Sequence, residues 1–168
     1  MSNMEEKVAR AASRDSAGEP ASVAAGPRPS LMYAIKQVEL AARAHMDELV
    51  KPVGITALQY TALTVLRRHD GLSSAQLARN SFVTAQSMAD MVTALERRGL
   101  IVRRRDPDNR RALLISLTCA GHELLAAQDA AMTALEERML ADLSERQRLD
   151  LEDYLNRCRA ALSDRPSH

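Results

Sequence analysis

Apolar residues recur along this chain in blocks whose spacing predicts an order of elements. Leu31, Ile35, Val38, Ala42, His45, Met46 and Leu49 fall at three- and four-residue steps, the stripe of an amphipathic helix that Pro52 and Gly54 end. Thr56 to Gln59 has the form of a capping box, in which a threonine oxygen takes an orphan N–H and a glutamine reaches back. Leu58, Ala62, Val65 and Leu66 carry that second helix to about Arg68. Ser73 to Gln76 repeats the signature ahead of Leu77 and Ala78. Thr84 then caps a helix over 85–98, with Met88, Met91, Val92 and Leu95 inward and Gly99 as its left-handed terminator. Past Gly99 the period changes. Leu100–Arg103 and Ala112–Leu117 are short, branched-rich runs around Arg-Arg-Asp-Pro-Asp-Asn-Arg-Arg, whose Asp-Pro and Asp-Asn steps favour a turn, so a β-hairpin is expected. Thr118 opens a long helix marked by Leu124, Gln128, Ala131, Leu135 and Met139. Ser144 to Gln147 caps a last one carrying Leu151, Tyr154, Leu155, Cys158 and Leu162.

This order predicts a mainly α fold with a small β-hairpin wing. Two short helices joined at Ser81–Val83 and followed by a hairpin form a winged helix-turn-helix over residues 56–117. The helices of residues 31–55 and 118–163 carry more apolar stripe than so small a domain can cover, so they are expected to form a helical dimerisation region. Residues 1–30 contain Pro20, Pro27 and Pro29 and no periodic apolar face, and are expected to be a flexible N-terminal tail.

Composition narrows the function. Only 2% of the 168 residues are aromatic, which argues against modules that stack single-stranded bases on rings. The six glycines are scattered singly, so the sequence holds neither a dinucleotide fingerprint nor a phosphate-cradling loop. No nucleophile–base pair or metal constellation suggests an enzyme, and no cofactor is expected. Cys119 and His122 stand three apart on a helix but lack two further ligands, so no metal site is expected. Cys119 and Cys158 form no disulfide framework, which fits a reducing compartment, and no run approaches the ~18 apolar residues of a membrane span. A cytoplasmic protein without a membrane partner is expected.

The net charge of +1 conceals an asymmetry: residues 64–118 carry ten arginines against five acids, and residues 119–168 six against ten. Seven arginines from Arg97 to Arg111 fall within fifteen residues, a density that suggests a polyanion, double-stranded DNA above all. On the second helix of the pair, Thr84, Gln86, Ser87, Asp90 and Thr93 form an exposed polar side, and the Gln86 amide matches the donor and acceptor of adenine. Thr84 and Ser87, and Ser73 and Ser74 at the preceding helix start, suit phosphates, although Thr84 serves equally as a plain cap. In the hairpin loop Arg104, Arg105, Arg110 and Arg111 repel one another without a partner anion. Asp108 stands two residues before Arg110, placed to aim its guanidinium into a narrow minor groove or simply to form the turn.

These stretches resemble the MarR (multiple antibiotic resistance regulator) family of winged-helix transcription factors. The resemblance rests on Gly54-Ile-Thr-Ala-Leu-Gln-Tyr, Leu77-Ala, Thr84-Ala-Gln-Ser-Met, Leu95-Glu-Arg-Arg-Gly-Leu-Ile, the arginine-rich loop and Leu117-Thr-Cys-Ala-Gly, and runs from about Leu31 to Leu162. It implies a homodimeric, ligand-responsive repressor, with the family's wing arginine and aspartate at Arg110 and Asp108; a two-fold dimer with both recognition helices on one side of the DNA would in turn read a near-palindromic operator. Asp90 and Thr93 depart from the family pattern, which often has a basic and an acidic residue there. Met32, His45 and Met46, near Met88 and Met91, are the candidate contacts for a small apolar or aromatic-acid effector, with ordinary core packing as the competing reading. His45 and Cys158, both on apolar stripes, are expected to be packed. The alternatives are a winged-helix protein–protein interaction module without DNA binding, and a regulator switched by cysteine oxidation.

Overall fold

A computed structural model describes residues 29–163 apart from Asp108, Arg110 and Arg111. The expected tail up to residue 28 and those three loop residues lie outside the described residues.

Helix α1 spans Leu31–Val50, with the Ser30 side chain accepting from the Tyr33 N–H. The α-helix ends ahead of Pro52, as expected. A 3-10 turn over Lys51–Val53 follows, with Pro52 tolerated in its first turn, and Gly54 ends it at φ 69°. Helix α2 covers Ala57–Arg68 behind the Thr56–Gln59 box, which closes with bonds of 3.0 and 3.2 Å. Strand β1 (Leu72–Ser73) leads into α3 (Ser74–Asn80), and α4 follows over Ala85–Arg97. Strands β2 (Ile101–Arg105) and β3 (Leu113–Leu117) make the hairpin, then come α5 (Cys119–Met139) and α6 (Glu145–Ser163).

The sheet is antiparallel in the order β1-β3-β2. Leu72 pairs with Ile115 and Ser73 with Leu114, a strand that the sequence pattern did not reveal. Ser73 already has the extended backbone of an N-cap, and those same dihedrals let two residues join the edge of β3. The core gathers Leu63 and Leu66 of α2, Leu77 of α3, Met88, Val92 and Leu95 of α4, Ile101 and Ile115 of the hairpin and Leu125 of α5.

Packing is uneven. On α1 only Val50 is fully buried, whereas Leu31 is 82% exposed and Ile35 and Val38 also face solvent. On α6 residues 152–162 are all exposed, including Tyr154, Leu155 and Leu162. Two expectations are corrected here: His45 and Cys158 are exposed, His45 because it borders an open groove between α1 and α5, and Cys158 because residues 152–162 of α6 are all exposed.

Candidate nucleic-acid interface

Helix α4 presents its apolar residues to the core and a polar row to solvent. Thr84 starts it in two ways, accepting from the Ser87 N–H at 3.1 Å and donating to Ser87 Oγ at 2.9 Å. Its hydroxyl is therefore a cap first. Along the exposed side, Gln86 Nε2 donates to Asp90 Oδ1 at 3.4 Å, and Thr93 Oγ1 donates back to the Ala89 carbonyl at 2.9 Å. Asp90 thus engages the Gln86 amide from one turn away. Ser73 is likewise engaged by its own capping box, and Ser74 is half-buried as the first residue of α3.

The turn between α3 and α4 holds two unusual residues. Phe82 has φ 55° and is 81% exposed, an uncommon backbone state for a bulky residue. Beside it Ser81 is 4% exposed, with an Oγ that has no hydrogen-bond partner.

In the wing, Arg103, Arg104 and Arg105 of β2 are all exposed, paired across to Ile115, Leu114 and Leu113. The Asp106 N–H donates to the Ala112 carbonyl at 3.1 Å, closing the base of the loop. The arginine cluster is not a uniform patch. Arg103 binds Glu96 of α4 through Nε at 3.0 Å and through Nη2. That bond holds the Glu96 carboxyl below the usual carboxylate range and raises Arg103 further, with a smaller opposing effect of desolvation on each. Arg98 donates to the carbonyls of Val53 and Gly54 across the surface. All five described members, Arg97, Arg98, Arg103, Arg104 and Arg105, are exposed, with Arg98 and Arg103 engaged in these bonds, while Asp108, Arg110 and Arg111 lie outside the described residues.

Several grooves flank α1, and two of them involve the candidate effector methionines. One, of about 500 Å³, runs between α1, α2 and the α3–α4 turn and is lined by Met32, Met46, Leu58, Ser81 and Phe82 among others. A second, of about 470 Å³, lies between α1 and α5 and includes His45, Met46, Tyr60 and Met132. The candidate effector residues are therefore split. Met32 lines the first, Met46 both, and His45 the second and a further groove between α1 and α5, whereas Met88 belongs to the core and Met91 packs against it, neither lining these grooves. Sequence reasoning missed Ser81 and Phe82; the one signal was a phenylalanine in the short turn between two helices.

Among the described residues no three His, Cys, Asp or Glu side chains gather where a metal could bind. No single described helix is long and apolar enough to cross a membrane.

A helix pair joined by a short turn, with a three-stranded sheet whose hairpin projects beside the second helix, defines a winged helix. Residues 55–113 match the MarR family model. The chain is 31% identical over 127 residues to an HTH-type transcriptional repressor of Mycobacterium tuberculosis, covering 76% of this chain and 91% of that protein. A solved probable transcriptional regulator from Pseudomonas aeruginosa is similar at 31% identity and TM-score 0.68, over 77% of this chain and 96% of the other. The repressor CouR, solved bound to a 23-mer DNA duplex, is similar at 30% identity and TM-score 0.64, over 80% of this chain and 92% of the other. The chain belongs to the MarR family and is a transcription regulator with a DNA-binding winged helix.

Proposed function

We propose that two copies of this chain bind a near-palindromic DNA operator and repress transcription until a small ligand releases them. The observation that carries this reading is the outward row of α4, with Gln86 held by Asp90, standing beside a wing that exposes Arg104 and Arg105. Gln86 is the base reader; Ser87, Arg104, Arg105, Arg110 and Arg111 serve the backbone, with Arg110 aimed by Asp108. Residues 56–117 are the DNA-binding unit, and residues 31–55 and 118–163 join the two copies through the apolar faces that α1 and α6 leave bare. Two recognition helices on one side of the dimer require half-sites about 10 base pairs apart. The DNA-bound CouR structure and the mycobacterial repressor's name support DNA binding and repression.

The effector site is the first groove, since it joins α1 to the turn that starts the recognition helix. Its lining suits a small apolar or aromatic-acid molecule: Met32, Ile35 and Phe82 supply apolar surface, and Lys36 and Arg43 supply positive charge beside Glu39. A ligand that favours one spacing of the recognition helices shifts DNA affinity, and DNA shifts ligand affinity equally, by about 1–3 kcal/mol.

The test selects a duplex from randomised DNA, labels it and titrates protein and salt. A steep salt dependence with a clear preference over random duplex is expected. Weak, salt-insensitive binding would return the chain to a protein-interaction role. Phenolic acids, purines and cationic drugs are then screened for release. Release by hydroperoxide alone, abolished in Cys119→Ser, would replace the ligand by a thiol switch.

A further inference from the structure

We infer that Arg98 is a positioning residue that sets the operator spacing the protein accepts, without touching DNA. The inference rests on the dimeric DNA-binding reading above. Arg98 caps the C-terminal end of α4, its N–H bonding to the Ala94 carbonyl at 3.2 Å. Gly99, at φ 71°, closes the helix immediately after it. The side chain is exposed like that of its neighbour Arg97, but it is tied down rather than free. It reaches 44 and 45 residues back along the chain, to the carbonyls of Gly54 and Val53, the latter at 2.6 Å.

Those carbonyls sit at the joint where α1 and its 3-10 extension meet α2 at 85°. Carbonyls at a helix C-terminus lack intrahelical partners and carry partial negative charge, so a guanidinium there is held by charge as well as by hydrogen bonds. The planar fork of arginine meets two adjacent carbonyls at once, which an ammonium cannot do with the same geometry. The other side of the joint is tied too: Asp47 of α1 accepts from the Ala57 N–H, at the start of α2, at 2.6 Å. An anion therefore fastens the N-terminus of α2 to α1, and a cation fastens the end of α4 to the end of α1. Together they fix the recognition helix to the helix proposed to meet the second copy.

If α1 is anchored at the dimer interface, the angle between α1 and α4 determines where the two α4 helices stand. Loosening Arg98 leaves each half-site contact in place but widens the range of spacings the dimer can straddle. Each base pair added between half-sites moves one by about 3.4 Å and turns it by about 34°.

The experiment takes the duplex selected by the wild-type protein and adds or removes one or two base pairs between its half-sites. Wild-type affinity should fall about tenfold or more per step. Arg98→Ala and Arg98→Lys should flatten that profile to about threefold or less per step. Affinity for a duplex with a single half-site and the salt slope should stay at wild-type values, and circular dichroism should confirm the fold. A damaged fold would lower all affinities together and not change the spacing profile. Retention of the wild-type profile in Arg98→Ala overturns the inference, as does full function of Arg98→Lys, which keeps the charge and loses the fork. A salt slope smaller by about one unit also overturns it, since Arg98 would then be a phosphate contact. A wild-type protein indifferent to spacing overturns the dimeric reading, and the inference with it.

Discussion

Gln86 and Asp90 lie one helical turn apart on the exposed side of α4, and their hydrogen bond restricts an amide that would otherwise rotate freely. Gln86→Ala should cost about 1–3 kcal/mol on the selected operator and little on random duplex, measured by fluorescence anisotropy at fixed salt. Glu96 gives a different test, because it joins α4 to the wing strand through Arg103. Its carboxyl is held below the usual range, so the bond stabilises the fold above about pH 4.3 and is lost as pH falls through the lower folded value. Glu96→Gln should therefore melt earlier than wild type at neutral pH, with the gap closing in acid; thermal unfolding from pH 7 to 3 checks this. The Gln86 candidate was legible because a short polar row on an amphipathic helix is a pattern. The roles of Arg98 and Arg103 were not, since a count of arginines carries no information about carbonyls 44 residues away or a carboxylate on the preceding helix.

At the level of elements, caps were the most legible feature. Thr56, Ser73, Thr84, Thr118 and Ser144 each accept from the N–H three residues on, because such side chains compete locally for the donors a helix start leaves free. Strand β1 was hidden, since two residues show no alternation and their partner strand lies about forty positions away. Leu125 was also missed as the deepest residue of α5; the expected stripe ran through Leu124, which is only half-buried. Both positions lie close to Gly121, where a Cβ would run into the Leu100 carbonyl oxygen and meet Leu117 Cδ2 at 3.1 Å. Helix propensity favours alanine over glycine by about 1 kcal/mol, but here the collision is with backbone and should win. Gly121→Ala is expected to destabilise by about 1–3 kcal/mol, read as a lowered urea midpoint with unchanged m.

For the whole molecule, the distribution of burial decides what a single chain can do alone. The core knits α2, α3, α4 and the sheet to one end of α1 and the middle of α5, while the far half of α1 and the length of α6 leave large apolar side chains in water. Leu155→Glu on α6 should shift the proposed dimer toward monomer in sedimentation equilibrium and weaken operator binding more than binding to one half-site.

The bareness of α6 has a kinetic side as well. Arg148 ties it inward, bonded to Glu137 at 2.8 Å and to the Leu143 carbonyl at 3.2 Å, and residues 152–162 are all exposed. Helices without a buried face open and close freely, so their amides exchange with solvent deuterium almost as fast as in a peptide. If a second copy supplies the missing face, protection along α6 should rise with protein concentration while protection of Leu63 or Leu95 stays constant. Folding of the last helix and assembly of the regulator would then be one event, read amide by amide.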